Sequence, residues 1–178
     1  MNWKNINIFV ALLIVVAGFY FFEINKLTVT NAPTVLDPLN ATYIIDNNPI
    51  TLVNGKADVS AAPGSSTRIL TMIFGEPSIG DLNNDGKPDA AVLLVRTTGG
   101  SGTFFYVAAA LNAVNATQGT NALLLGDRIA PQTLEVRNGQ IIANFAIRKP
   151  GEPFTTQPSL GVSKYAKVGG ATLVEINP

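Results

Sequence analysis

After residue 26, the sequence is divided into short apolar runs by glycine, proline and asparagine, and this pattern most constrains the fold. The runs are rich in Val, Ile, Leu, Phe and Thr, which favour strands, and no strong 3.6-residue helical periodicity accompanies them. Asn54-Gly55 and Asn138-Gly139 are typical of two-residue hairpin turns. The sequence therefore predicts a compact, mostly β domain of antiparallel sheet. An α+β domain with one or two short helices stays an alternative.

The apolar runs predict ten strands. These are Tyr43–Asp46, Ile50–Val53, Arg68–Phe74, Ala90–Arg96, Thr103–Leu111, Ala122–Leu125, Leu134–Arg137, Gln140–Ile147, Val162–Val168 and Thr172–Ile176. The run Arg68–Phe74 is ambiguous, because Ser65 or Ser66 could cap a short helix there. The run Ala108–Leu111 could also be helical, since Ala and Leu are strong helix formers, although the aromatic residues before it favour a strand.

Residues 6–22 form an apolar run of 17 residues interrupted only by Asn7. This length is at the short end of the roughly 17–25 residues that a membrane-spanning helix needs. Lys4 and the amino group before the run favour an amino terminus in the cytoplasm. The run ends in bulky aromatic residues and not in a small-x-small cleavage site. We therefore predict an uncleaved signal-anchor over residues 1–26. A cleaved signal peptide and a buried core helix stay alternatives.

The segment that follows the predicted anchor is rich in Thr, Asn and Pro, so residues 27–41 are predicted to be an extended linker. Residues 42–178 are then predicted to form one β-rich domain on the periplasmic or extracellular side of the membrane. A domain of 137 residues (178 − 41) can bury about two-thirds of the surface of its unfolded chain. It therefore needs no covalent cross-links to be stable.

The composition excludes several classes of function. The chain has no His and no Cys, which excludes a Ser-His-Asp triad, a thiol nucleophile, an iron–sulfur cluster and the common zinc sites. The 12 Lys and Arg residues balance the 12 Asp and Glu residues, and this neutrality argues against electrostatic binding of nucleic acid.

One segment carries oxygen-bearing side chains at alternate positions. Numbered from its first acidic residue, it has Asp81, Asn83, Asp85 and Asp89 at positions 1, 3, 5 and 9. Carboxylate and amide oxygens are the hard ligands that Ca²⁺ prefers. We therefore predict a structural Ca²⁺ site here, and a metal-free polar turn stays the alternative.

Two further positions of this loop fit calcium binding, and one does not fit an EF-hand. Gly86 occupies position 6, where the chain must turn sharply, and Lys87 at position 7 would offer its backbone carbonyl oxygen. Val92 stands at position 12, where an EF-hand has a bidentate Glu. An apolar strand candidate follows the loop in place of a helix, so the loop is not an EF-hand.

The sequence around the loop resembles an FG-GAP repeat, and VCBS-type repeats share the same calcium loop. The resemblance is carried by Phe74-Gly75, by the segment 80–86, by Pro88-Asp89 before an apolar strand, and by the glycine-led run 100–107. In those families, the loop joins two strands of a propeller blade. Here the Gly-Ala-Pro element is missing and only one copy is present. The domain is too short for several blades of four strands, so a complete propeller is not expected.

These observations predict a membrane-anchored extracytoplasmic module that binds a partner or has a structural role, holds Ca²⁺ and catalyses no reaction. Two alternatives stay open, namely an envelope hydrolase that uses carboxylates or the metal, and a subunit of a surface filament or membrane complex. The predicted partner is the lipid bilayer, through residues 6–22. The sequence does not indicate which protein or glycan would bind.

Overall fold

The structure, a computed structural model, describes residues 35–177. Within these residues, one 3-10 turn, Pro38–Asn40, precedes thirteen strands. The strands are β1 (Thr42–Ile45), β2 (Asn48–Thr51), β3 (Lys56–Ser60), β4 (Arg68–Ile73), β5 (Ser78–Gly80), β6 (Asp89–Thr97), β7 (Thr103–Asn112), β8 (Thr117–Gly119), β9 (Leu123–Asp127), β10 (Ala130–Arg137), β11 (Gln140–Ile147), β12 (Leu160–Gly169) and β13 (Thr172–Ile176). The prediction of a mostly β domain is confirmed, and both segments with a helical alternative are strands.

The strands form three antiparallel sheets. A seven-stranded sheet has the order β3-β4-β6-β7-β8, with β5 paired to β6 and β9 paired to β7. A four-stranded sheet has the order β10-β11-β12-β13, and β1 and β2 form a separate hairpin. Most connections between consecutive strands are short, which is typical of antiparallel sheets, and the longest is the segment 148–159 between β11 and β12.

The central strands β6 and β7 are buried on both faces, which explains why their sequences are almost continuously apolar. The inter-sheet core lies between the seven-stranded and four-stranded sheets. Its buried residues are Leu82, Ala91, Leu93, Phe105, Val107, Ala109, Leu111, Leu125, Ile129, Ile141, Ala143, Phe145, Ala166 and Leu173. The hairpin core lies on the opposite face of the seven-stranded sheet, under β1 and β2. Its buried residues are Ala41, Tyr43, Ile45, Leu52, Ala90, Val92, Leu94, Tyr106, Ala108 and Ala110.

Three turns contain paired residues with positive φ, as hairpins of type I′ require. Asn54-Gly55 and Asn138-Gly139, which the sequence predicts as turns, have φ values of 52° and 78° and of 51° and 70°. The third is Asp46-Asn47 between β1 and β2, with φ values of 51° and 64°. This third turn was not predicted, although Asp and Asn tolerate positive φ better than most other residues.

The predicted signal-anchor, residues 1–26, lies outside the described residues, as does most of the predicted linker. No helix within residues 35–177 has the length and apolar character needed to cross a bilayer. The end of the predicted linker is packed: the Asp37 N–H donates to Thr117 Oγ1 at 2.7 Å, and Ala41 is buried in the hairpin core. Residues 37–41 therefore belong to the folded domain. The Thr- and Pro-rich composition of the predicted linker does not indicate that Ala41 packs in an apolar core.

Candidate metal centre

The predicted calcium loop connects two paired strands. Residues 81–88 join β5 to β6, and Gly80 pairs with Asp89 across the base of the loop. Strand β5 is fixed to the four-stranded sheet, because Ser78 Oγ accepts a hydrogen bond from the Val136 N–H at 3.1 Å. The base of the loop is therefore held by both sheets.

The Asp81 carboxylate organises the first half of the loop. Its Oδ1 accepts a hydrogen bond from the Asn84 N–H at 2.7 Å, and its Oδ2 accepts one from the Gly86 N–H at 3.0 Å. The chain thus curls around this side chain. Asn84 and Gly86 have φ values of 61° and 79°, a region that Asn and Gly tolerate better than other residues.

Two shorter hydrogen-bonded turns complete the loop. Asn83 Oδ1 accepts a hydrogen bond from the Asp85 N–H at 3.0 Å, and Asp85 Oδ1 accepts one from the Lys87 N–H at 2.9 Å. The Lys87 ammonium lies 3.9 Å from Asp85 Oδ2. The Asn and Asp side chains thus accept hydrogen bonds from nearby backbone N–H groups, which explains why this sequence forms a compact loop.

Asp89 differs from the other predicted ligands because its side chain is completely buried. Its Oδ2 accepts a hydrogen bond from the Leu82 N–H at 3.0 Å, and its Oδ1 accepts one from the Asn112 N–H at 2.8 Å. Among residues 35–177, no Lys or Arg side chain forms an ion pair with it. This carboxylate therefore closes the loop and ties it to the end of β7 through peptide N–H groups.

Four of the five predicted ligand residues, Asp81, Asn83, Asp85 and Lys87, lie in the loop 81–88. The fifth, Asp89, is the first residue of β6. The structure does not gather the carboxylates of Asp81, Asp85 and Asp89 into a cluster, since no group of three or more acidic side chains suited to a metal ion occurs within residues 35–177. The donor set nevertheless has the chemistry of a calcium ligand set, with carboxylate and amide oxygens in one short loop. The segment 81–89 also carries three acidic residues and one basic residue, a net charge of −2.

Two residues that fix the loop were not identified from the sequence. An ideal Cβ on Gly80 would lie 2.5 Å from Val136 Cγ1, so only glycine lets β5 approach β10 this closely. Leu82, inside the loop, is 2% exposed and belongs to the inter-sheet core. Leu is among the residue types most often found buried, so a single Leu among polar loop residues could have indicated a contact with the core.

Among the clefts on the surface of residues 35–177, two are well formed, and neither is lined by a residue of the loop 81–88. The larger, of about 600 Å³, lies between the 3-10 turn and the segment 72–77, and its walls include Leu39, Lys56 and Glu76. The second, of about 420 Å³, is lined by Asn40, Thr42 and the segment 113–119.

No protein-family model, no curated protein and no solved structure matches the chain.

Proposed function

We propose that this protein is a membrane-anchored module whose β domain lies outside the cytoplasm, binds a partner or has a structural role, and holds one structural Ca²⁺ ion. The observation that carries the metal proposal is the loop itself, in which the side-chain oxygens of Asp81, Asn83 and Asp85 all accept hydrogen bonds from the loop backbone. An oxygen that accepts one N–H keeps a second lone pair for a cation.

The ligands of this site would be the side chains of Asp81, Asn83 and Asp85, the Lys87 carbonyl oxygen and Asp89. Asp89 is completely buried and accepts the N–H groups of Leu82 and Asn112, so it would also hold the loop closed. A bound Ca²⁺ ion would neutralise the net charge of −2 on the segment 81–89.

The position of the loop supports a structural ion and not a catalytic one. A catalytic metal needs an open coordination position in a concave pocket. The two surface clefts described above are lined by other residues. The composition, without His or Cys, also removes the commonest general base and the thiol nucleophile.

The anchor proposal depends on residues 6–22, an apolar run at the short end of the length with which a helix crosses a bilayer. An extracytoplasmic domain would also suit the metal, because sites of this kind outside cells often bind Ca²⁺ with dissociation constants of about 0.1–1 mM.

Thermal unfolding of the full chain in mild detergent tests the metal proposal, first with EDTA and then with Ca²⁺. At 100 times the dissociation constant, Ca²⁺ should stabilise the domain by about 2.7 kcal/mol, which raises Tm by about 5–10 °C. Asp81→Ala and Asp85→Ala should abolish this rise. Asp58→Ala, which removes an exposed carboxylate outside the loop, should leave it intact. A Tm that Ca²⁺ does not change in the parent chain refutes the site.

A further inference from the structure

Three exposed apolar side chains belong to the 3-10 turn or to segments that are next to it in sequence or in contact with it. Val35, Leu39 and Val53 are 81%, 43% and 64% exposed. Leu39 and the turn after Val53 are in contact, because the Gly55 N–H donates to the Leu39 carbonyl oxygen at 2.8 Å. We call these three residues the apolar corner. The cleft of about 600 Å³ adjoins it and shares Leu39 as a wall.

The apolar corner and the metal loop lie at the same end of the domain. The Asp37 N–H donates to Thr117 Oγ1, and Thr117 pairs with Asn112 at the end of β7. The Asn112 N–H in turn donates to Asp89 at the start of β6. We call the end of the domain that carries the metal loop the loop end. Leu160, at the start of β12, pairs with Ile147 at the opposite end of the strands.

The length of chain before Val35 limits how far this end can lie from a membrane. Twelve residues, 23–34, separate the apolar run 6–22 from Val35. Even a fully extended segment of this length spans only about 40 Å. With residues 6–22 in a bilayer, Val35 therefore stays within about 40 Å of the lipid surface. This step rests on the membrane anchor of the proposed function.

We propose that the apolar corner contacts the outer surface of the same lipid bilayer. A short tether raises the effective concentration of the surface around the domain, so a weak contact becomes populated. Valine and leucine side chains leave water favourably when they enter the boundary between headgroups and acyl chains. The contact would orient the domain with its metal loop towards the membrane and Leu160 away from it.

Fluorescence quenching by lipid tests this orientation in the full chain. Trp3 is the single tryptophan, so a Trp3→Phe background lets an introduced tryptophan report alone. Val53→Trp probes the apolar corner. Leu160→Trp is the matched control, since Leu160 is 41% exposed at the opposite end. Each variant is reconstituted into phosphatidylcholine vesicles with and without brominated acyl chains, and incorporation is checked by flotation.

The brominated lipid should lower the emission of the Val53→Trp variant about twofold and leave that of Leu160→Trp unchanged. If the chain floats with vesicles but neither tryptophan is quenched, the contact is refuted while the anchor stands. Equal quenching of both tryptophans refutes the orientation. Blue-shifted but unquenched emission from Val53→Trp means that protein and not lipid covers the corner, which also refutes the contact. A chain that does not float refutes the anchor, and the inference fails with it.

Discussion

The side-chain amide of Asn121 forms two hydrogen bonds with the backbone of Leu173. Nδ2 donates to the Leu173 carbonyl oxygen at 2.9 Å, and the Leu173 N–H donates to Oδ1 at 2.8 Å. The amide thus takes the place of a neighbouring strand at the edge of β13. Because the backbone of Asn121 also bridges to Ile44 in β1, this one residue connects the four-stranded sheet with the β1–β2 hairpin.

Replacing Asn121 by Ala should lower the free energy of unfolding by about 1–3 kcal/mol, because the partly buried N–H and C=O groups of Leu173 lose their partners. Urea unfolding followed by circular dichroism measures the loss. Asn144→Ala is the matched control, since Asn144 bonds only to side chains on the exposed face of the four-stranded sheet. Equal losses in the two variants would contradict a special role for Asn121.

Asp89→Asn should destabilise the domain without any metal present, again by about 1–3 kcal/mol. The amide keeps one acceptor oxygen but turns its NH2 group towards the N–H of Leu82 or Asn112, where two donors then face each other. Chemical unfolding in EDTA gives the difference. Asp85→Asn, a change at an exposed residue of the same loop, should lower the free energy of unfolding in EDTA far less. A larger loss for Asp85→Asn than for Asp89→Asn would show that Asp89 does not close the loop.

Gly80→Ala should cost about 1–3 kcal/mol, because the added methyl group would overlap Val136 between β5 and β10. A second substitution, Val136→Ala, makes room and should recover part of the loss in a double-mutant cycle. Gly161→Ala is the control, since a Cβ there meets nothing within 4 Å. Additive losses at Gly80 and Val136 would contradict the proposed contact.

Alkaline pH should destabilise the domain through Tyr106. Burial, together with the charge of Asp46, raises the pKa of this phenol to about 12 from its ordinary value of 10.0. Folding therefore favours the protonated form, and this contribution is complete below pH 10 and is lost as the pH rises towards 12. Tyr106→Phe should flatten the fall in unfolding free energy over this range. The phenolate absorbance of the parent should show a group titrating near pH 12 that the variant lacks.

The central strands could be predicted from the sequence almost to the residue. Ala90–Arg96 and Thr103–Leu111 were expected, and β6 and β7 extend them by one or two residues. Both faces of these strands are buried, so their sequences are long apolar runs that strongly indicate strands. Strands β5 and β8 have three residues each, and pairing with β6 and β7 creates them, so no local pattern indicates them.

The loop could be located from alternate oxygen-bearing residues, because the hydrogen bonds within residues 81–89 join residues at most seven apart. The hydrogen bond from the Asn112 N–H to Asp89 could not be predicted, since Asn112 lies 23 residues away and reaches the carboxylate only when β6 and β7 pair. The contact of Gly80 with Val136 likewise depends on how the two sheets pack. Local sequence chemistry therefore predicts the shape of the loop. Tertiary structure determines that its buried residue, Asp89, ties the loop to the end of β7.

The burial of β6 and β7 on both faces leaves their alignment weakly determined by hydrophobicity. Ala90 pairs with Ala110 and Ala91 with Ala109, so a slip of one residue would exchange small apolar side chains between two equally apolar cores. Such a slip would carry the Asp89 carboxylate away from the Asn112 N–H and leave a buried charge without this donor. Asp89 therefore favours the observed register together with the packing of the larger side chains of β7, which makes this carboxylate a contributor to folding specificity.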